Sequence, residues 1–183
     1  MGLFWFRSLL ILVPVAAANA YGTDPKETPT PLAAQMAYYM EHGGHWRAEN
    51  PEHEPGDGKP AWFEYQFEWS LPNHLAVVRI SGAMENGEDI LYWNVFSAWH
   101  PEKEKVVLYQ FGSRGHLSHG EVNREGDHLS HVFAGWNPNG QSYQFRDREI
   151  RLGPDKFRSE TLISKNGIWQ VAQSLTWHRV KTR

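Results

Sequence analysis

From Ala61 onward, apolar positions recur at every second residue. Phe63, Tyr65, Phe67 and Trp69 fall on one side of an extended segment, and Trp62, Glu64, Gln66 and Glu68 on the other. That is the period of a β-strand, not of a helix. Turn residues interrupt the pattern at Pro72-Asn73, Asn86-Gly87, Pro101–Lys105, Gly112–Gly115, Asn123–Gly126, Pro138–Gly140, Gly153–Asp155 and Lys165–Gly167. They predict strands at Leu75–Ser81, Ile90–Trp99, Val106–Phe111, His116–Val122, Asp127–Trp136, Gln141–Leu152, Lys156–Ser164 and Ile168–Val180. Turns spaced about ten to fourteen residues apart are those of an all-β meander. With no long helix between strands, parallel βαβ folds are unsuited to the chain.

An earlier segment completes the set. Thr30-Pro31 reads as a helix start, a capping hydroxyl followed by proline at the first helical position. Leu32, Met36 and Met40 recur every four residues, and Gly43-Gly44 ends the run. Such a helix fits either as a plug in the end of a barrel or as a layer on its outer wall. The stretch Gly43–Glu49 then reads as a first strand, giving about ten strands in all. Only pairing of the first strand with the last removes both open edges of the sheet. The expected fold is therefore all-β: an antiparallel up-and-down barrel of about 8–10 strands with a short N-terminal helix. Closure would lay the Arg179 guanidinium on the Trp46 ring.

Residues 1–20 have the form of a secretory signal. Arg7 supplies a positive charge, Leu9–Val15 an apolar core and Ala18-Asn19-Ala20 a small-x-small cleavage site. The division expected is signal 1–20, linker 21–30 and one barrel domain over 31–183. A periplasmic or secreted location follows, with no membrane span after signal removal. The chain has no cysteine, so disulfides and thiolate metal sites are excluded. A net charge of -3, with scattered basic residues, makes nucleic acid a poor partner. Nine tryptophans suit a β-rich core or an aromatic-lined cavity.

Gly44-x-Trp46 on the opening strand, with Arg179 on the closing one, resembles the calycin superfamily, the lipocalins and their relatives. The stretch from Trp62 to Arg179, ending Asn166-Gly167-x-Trp169…Trp177-x-Arg179, resembles a bacterial lipocalin-like family of unknown function. The resemblance implies a barrel with an internal cavity and carries over no reaction. The glycine- and proline-rich haem motif of nitrobindin-like barrels does not follow Trp46, and no cofactor is expected.

A barrel of this size encloses one small ligand. With the aromatic faces inward, Tyr65, Phe67, Trp69, Trp93, Tyr109 and Trp169 are the expected walls, Arg79 and His131 the polar contributors, and a small hydrophobic or aromatic molecule the partner. With the opposite face inward, Glu64, Gln66 and Glu68 would line the interior instead. Trp169, Val171, Leu175 and Trp177 are expected to share one face. His-Leu-Ser-His occurs twice, at His116–His119 and His128–His131. A four-residue turn over Asn123–Gly126 would set His119 opposite His131, as a metal-binding or proton-transfer pair or as a plain surface pair. Arg146–Arg151 reads as cross-strand charges on a solvated wall. No nucleophile elbow, phosphate loop or thiol motif is present. Three readings stay open. One is a barrel binding a small, mostly apolar ligand. Another is an acid–base enzyme in the same barrel, with His131, Arg79 or Tyr65 as actors. The last is a ligand-free module that docks through its outer wall.

Overall fold

A computed structural model describes residues 30–181. The expected signal, 1–20, and the linker as far as Pro29 lie outside the described residues. Helix α1 (Pro31–Met40) is followed by one 3₁₀ turn (Glu41–Gly43) and ten strands. These are β1 (His45–Glu49), β2 (Trp62–Leu71), β3 (Leu75–Ala83), β4 (Asp89–His100), β5 (Lys105–Gly112), β6 (Leu117–Glu125), β7 (His128–Trp136), β8 (Ser142–Gly153), β9 (Lys156–Lys165) and β10 (Ile168–Arg179). Every strand pairs antiparallel with its neighbours in sequence, and β1 pairs with β10 to close the barrel. Among the described residues no helix is long and apolar enough to cross a membrane.

The helix begins as its sequence dictates. Thr30 Oγ1 accepts the Ala33 N–H at 3.1 Å, with Pro31 at the first helical position. Leu32, Met36 and Tyr39 are buried in one cluster with Trp46, Phe67 and Phe157. Of the two placements open for α1, the plug is the one found. The hydroxyl of Thr30 also reaches Asn73 in the β2–β3 turn, and that of Tyr38 reaches Gly153 at the end of β8, beside the β8–β9 turn. The helix thus spans one mouth of the barrel, tied to turns on different parts of its rim.

Gly44 joins the plug to the wall. Its φ is +69°, and a Cβ there would lie 2.3 Å from the Phe67 carbonyl oxygen. Its own carbonyl accepts the Phe67 N–H at 2.8 Å. No other residue permits that turn and that approach together. Trp46 follows, fully buried, with Nε1 donating to the Tyr39 carbonyl at 2.8 Å. Trp46 stands opposite Arg179 in the β1–β10 register, and the guanidinium carbon lies 4.1 Å from the indole centroid. Arg179 also donates to the carbonyls of Tyr38, Pro154 and Glu41 and to Asp155 Oδ1. One side chain therefore ties the plug to the last hairpin and to the closing seam.

Strand β2 turns Tyr65 and Phe67 into the barrel and leaves Glu64 outside, hydrogen-bonded to Arg47. The alternative with Glu64, Gln66 and Glu68 inside is overturned. Strand β10 corrects a different expectation. Its pairing with β9 skips Ala172 between Val171 and Gln173. This bulge moves Trp169 and Val171 to the outer face, while Leu175 and Trp177 face in. The four residues do not share a side. The outer wall carries exposed rings: Tyr109 is 49%, Phe111 48% and Trp136 41% exposed.

Candidate functional site

Directly paired residues share a face, so the register maps the interior rung by rung. Across β6 to β10 one inward rung reads Val122, His131, Asp147, Thr161, Gln173. The rung toward the helix places Leu129 beside Glu149 and Ser159. The rung above places Phe133 beside Phe145 and Ile163, the two phenyl rings stacked at 4.6 Å. On the facing wall, Tyr65, Phe67, Val78, Val95 and Ser97 point to the same space.

Between these walls and the helix lies a deep chamber of about 70 Å³, lined by Tyr39, Tyr65, His131, Asp147, Glu149 and their apolar neighbours. Above it opens a mouth of about 620 Å³. Tyr65, Ile80, Gln110 and Asp147 line both, so the two spaces adjoin. The mouth is walled by Trp93, His116 and Tyr143, with His116 6.0 Å from the Trp93 ring and 6.1 Å from Tyr143. Glycine makes room for both flanking rings. Trp93 lies over its partner Gly112, where a Cβ would sit 3.0 Å from the indole. Tyr143 lies over Gly135, where a Cβ would sit 2.7 Å from the ring.

The chamber is polar, but its carboxylates have hydrogen bonds and no ion pairs among the described residues. Asp147 accepts from Thr161 Oγ1 at 2.7 Å, and Glu149 accepts from the Tyr39 hydroxyl at 2.5 Å. His131 Nε2 and Ser97 Oγ are buried with no hydrogen-bond partner among the described residues. Burial governs the protonation of all three titratable groups. It lowers His131 to about 4, leaving the imidazole neutral at pH 7. It raises Asp147 to about 6, against the hydrogen bond from Thr161. Burial likewise raises Glu149 to about 7, with the Tyr39 hydrogen bond and Arg151 opposing and Asp147 assisting. The phenols of Tyr39 and Tyr65 are held well above their ordinary value, first by burial and then by the nearby carboxylates.

Of the residues expected from sequence, Tyr65, Phe67 and His131 line the chamber, and Trp93 stands in the mouth. Trp69 is half-buried against the core and borders neither space. Tyr109 and Trp169, expected as cavity walls, are on the outer surface. Tyr109 lies beside His119, and Trp169 lies under the guanidinium of Arg146. Arg79 is exposed on the outer face of β3, one position off the inward set of Val78 and Ile80. The His119–His131 juxtaposition is also overturned. The turn is the two residues Gly126-Asp127, with Gly126 at φ 62°, so Val122 faces His131 and His119 faces Ala134. His119 stacks on Trp136 outside while His131 points in.

Asp147 and Glu149 were hidden by the reading of Arg146–Arg151 as a solvated wall. Their signal was Tyr143 and Phe145, four and two positions before Asp147 on the same side. No family model and no curated protein matches the chain.

Proposed function

We propose that this chain is a calycin-like barrel, secreted or periplasmic, that binds one small ligand with its apolar body in the mouth and its polar end in the chamber. The adjacency of the two spaces, which share Tyr65, Gln110 and Asp147 as walls, carries the reading. The mouth is of ligand size, whereas the chamber has room for about two water molecules and so receives one end of a molecule only. The signal-like residues 1–20 and the Gly44-x-Trp46 and Arg179 pattern support the location and the family resemblance.

A second reading, acid–base catalysis on that ligand, is favoured by the convergence of Asp147, His131 and Tyr65 on one chamber. Asp147 is then the proton carrier, poised by burial near neutrality. Arg79 takes no part, being on the outer face.

Native mass spectrometry of protein purified from its own host tests both. A retained small molecule is expected, lost when Gly135→Val drives the Tyr143 ring into the mouth. A bare chain mass in every preparation overturns the binding reading. Incubation in D2O then separates the two: deuterium incorporated at carbon in the ligand supports catalysis, and none leaves binding alone.

A further inference from the structure

Asp147 and Glu149 stand two residues apart on β8 and line the same chamber. Neither has an ion-pair partner within 4.0 Å among the described residues. The nearest cation on the same face of the strand, Arg151, reaches to the helix, 4.2 Å from the Tyr38 ring and hydrogen-bonded to the Gln35 carbonyl, while Arg146 and Arg148 face out. Two carboxyl groups facing a void without a counter-charge are costly to keep.

The other polar atoms in the chamber point the same way. His131 is 8% exposed, and its Nε2 has no partner. Ser97 is 1% exposed, and its Oγ has none either. A neutral imidazole with its proton on Nδ1 accepts at Nε2, and a hydroxyl accepts as well. Around them stand the rings of Tyr39, Tyr65 and Phe67, with Tyr39 and Phe67 stacked at 4.9 Å. Aromatic faces attract cations. The chamber thus offers carboxylates, neutral acceptors and ring faces, and no cationic side chain lines it, Arg151 acting on Glu149 only from outside the lining. Among the described residues no three of His, Cys, Asp or Glu are placed to hold a metal ion. A volume of about 70 Å³ admits a small head group with its first methylenes.

Resting on the binding reading above, we infer that the ligand is an amine whose ammonium group seats in the deep chamber between Asp147 and Glu149, donating to them and to the free acceptors of His131 and Ser97. A primary ammonium has three donors and no acceptor, the complement of this lining. The hydrocarbon or aromatic body extends upward past Tyr65 and Gln110 to Trp93 and Tyr143.

Calorimetry with a matched pair, 4-phenylbutylamine and 4-phenylbutan-1-ol, tests the inference on the intact chain. The amine is expected to bind at least tenfold more tightly than the alcohol at pH 8. At pH 5 the preference should shrink, because Asp147 and Glu149 take up protons while the alcohol is unaffected. The groups facing Asp147 are His131 on β7, Tyr65 on β2, Tyr39 on α1, and Glu149 and then Arg151 along β8. His131, held near 4, stays largely neutral at both pH values. Asp147→Asn should erase the preference at pH 8 and spare alcohol binding, and Glu149→Gln is the second variant should the first fail to fold. Equal binding of amine and alcohol, or a preference that survives both variants, overturns the ammonium site and leaves the ligand-binding barrel standing. Binding of neither compound overturns the binding reading itself.

Discussion

The two ends of the barrel use the same residue types to opposite effect. At the helix end, Trp46, Tyr39, Phe157 and Trp177 meet edge to face and in stacks, with Trp46 and Phe157 at 4.9 Å and 72°. Trp46 is fully buried and Trp177 nearly so. The indole N–H of each is hydrogen-bonded, to the Tyr39 carbonyl and to Ser159 Oγ. At the other end Trp93, His116 and Tyr143 stand about 6 Å apart in an arc, and two of the three lie across glycines. What separates a plug from a mouth here is not aromatic content. It is the presence of α1 on one side and of Gly112 and Gly135 on the other. Rings backed by a helix interlock and fill the space, whereas rings laid back on glycine leave it open.

The largest effect should come from emptying the closed end. Trp46→Ala removes a fully buried indole that contacts Tyr39, Phe157 and Arg179, and should cost ~3–5 kcal/mol. Trp93→Ala, at the mouth, should cost about 1–2 kcal/mol, because the ring is only half-buried. Urea unfolding of the two variants checks the contrast. Equal losses would mean that the mouth is packed as tightly as the plug, and the distinction between the ends would fall.

A smaller effect sharpens the comparison by asking how far water reaches from the mouth toward the helix. Asp147 and Glu149 keep their protons to about 6 and about 7 in the fold, whereas unfolded carboxyls release them near ~4. The stability each contributes is complete below that unfolded value and is lost as pH rises through its folded one. His131 works in reverse. Held at about 4, against ~6.5 unfolded, it contributes fully above the unfolded value and loses that contribution as pH falls through about 4. Between pH ~4.5 and ~6 the fold therefore holds two extra protons on the acids and lacks one on the histidine. The net of one proton makes stability decline with rising pH by about 1.4 kcal/mol per unit. Asp147→Asn should flatten that slope, and His131→Leu should roughly double it. Urea midpoints measured across this range decide the matter. A flat wild-type profile would mean that bulk water reaches the floor of the chamber and that only the plug itself is dry.

How much of this was legible in the sequence depended on whether local spacing and tertiary register agreed. Strand β2 was readable because four aromatic residues alternate with polar ones without interruption. Closure was readable because Gly44, Trp46 and Arg179 each have one demanding role at the seam: a positive φ beneath Phe67, a ring on the barrel floor and a cation above it. Strand β10 misled because Trp169, Val171, Leu175 and Trp177 keep perfect alternation in sequence while the bulge at Ala172 breaks it in space. Neither Ala172 nor its neighbours differ enough in polarity to announce it. The β6–β7 hairpin misled through turn length: two turn residues in place of four put His131 opposite Val122. Asp147 and Glu149 were obscured by composition. A run of arginines and acids suggests a wetted surface, and only its phase relative to Tyr143 and Phe145 shows that the acids face inward while Arg146 and Arg148 face out. The chamber was the part least available from sequence, since it is assembled from side chains on six strands and a helix.

The smallest effect tests whether the burial difference between plug and surface, rather than contact geometry, sets the energy of a cation over a ring. Arg179 lies 4.1 Å from the Trp46 centroid, and Arg146 lies 4.2 Å from that of Trp169. The two contacts are nearly identical as distances. Arg146 is exposed on the outer wall of β8, where water solvates the guanidinium whether or not the ring is present. Its truncation to alanine should cost roughly 0.5–1 kcal/mol at most. Arg179 has a side chain with no exposed surface and donates to three carbonyls that would lose their partner. Its truncation should cost ~3–5 kcal/mol, most of it from those stranded carbonyls and from the buried Trp46 face rather than from the cation–π contact alone. Tryptophan replacement at the ring separates the contributions. Trp169→Leu should leave an Arg146→Ala change without further effect. A double-mutant cycle with a coupling above about 2 kcal/mol at the exposed pair would show that ring–cation distance matters more than desolvation, and the contrast drawn here between interior and surface would fail.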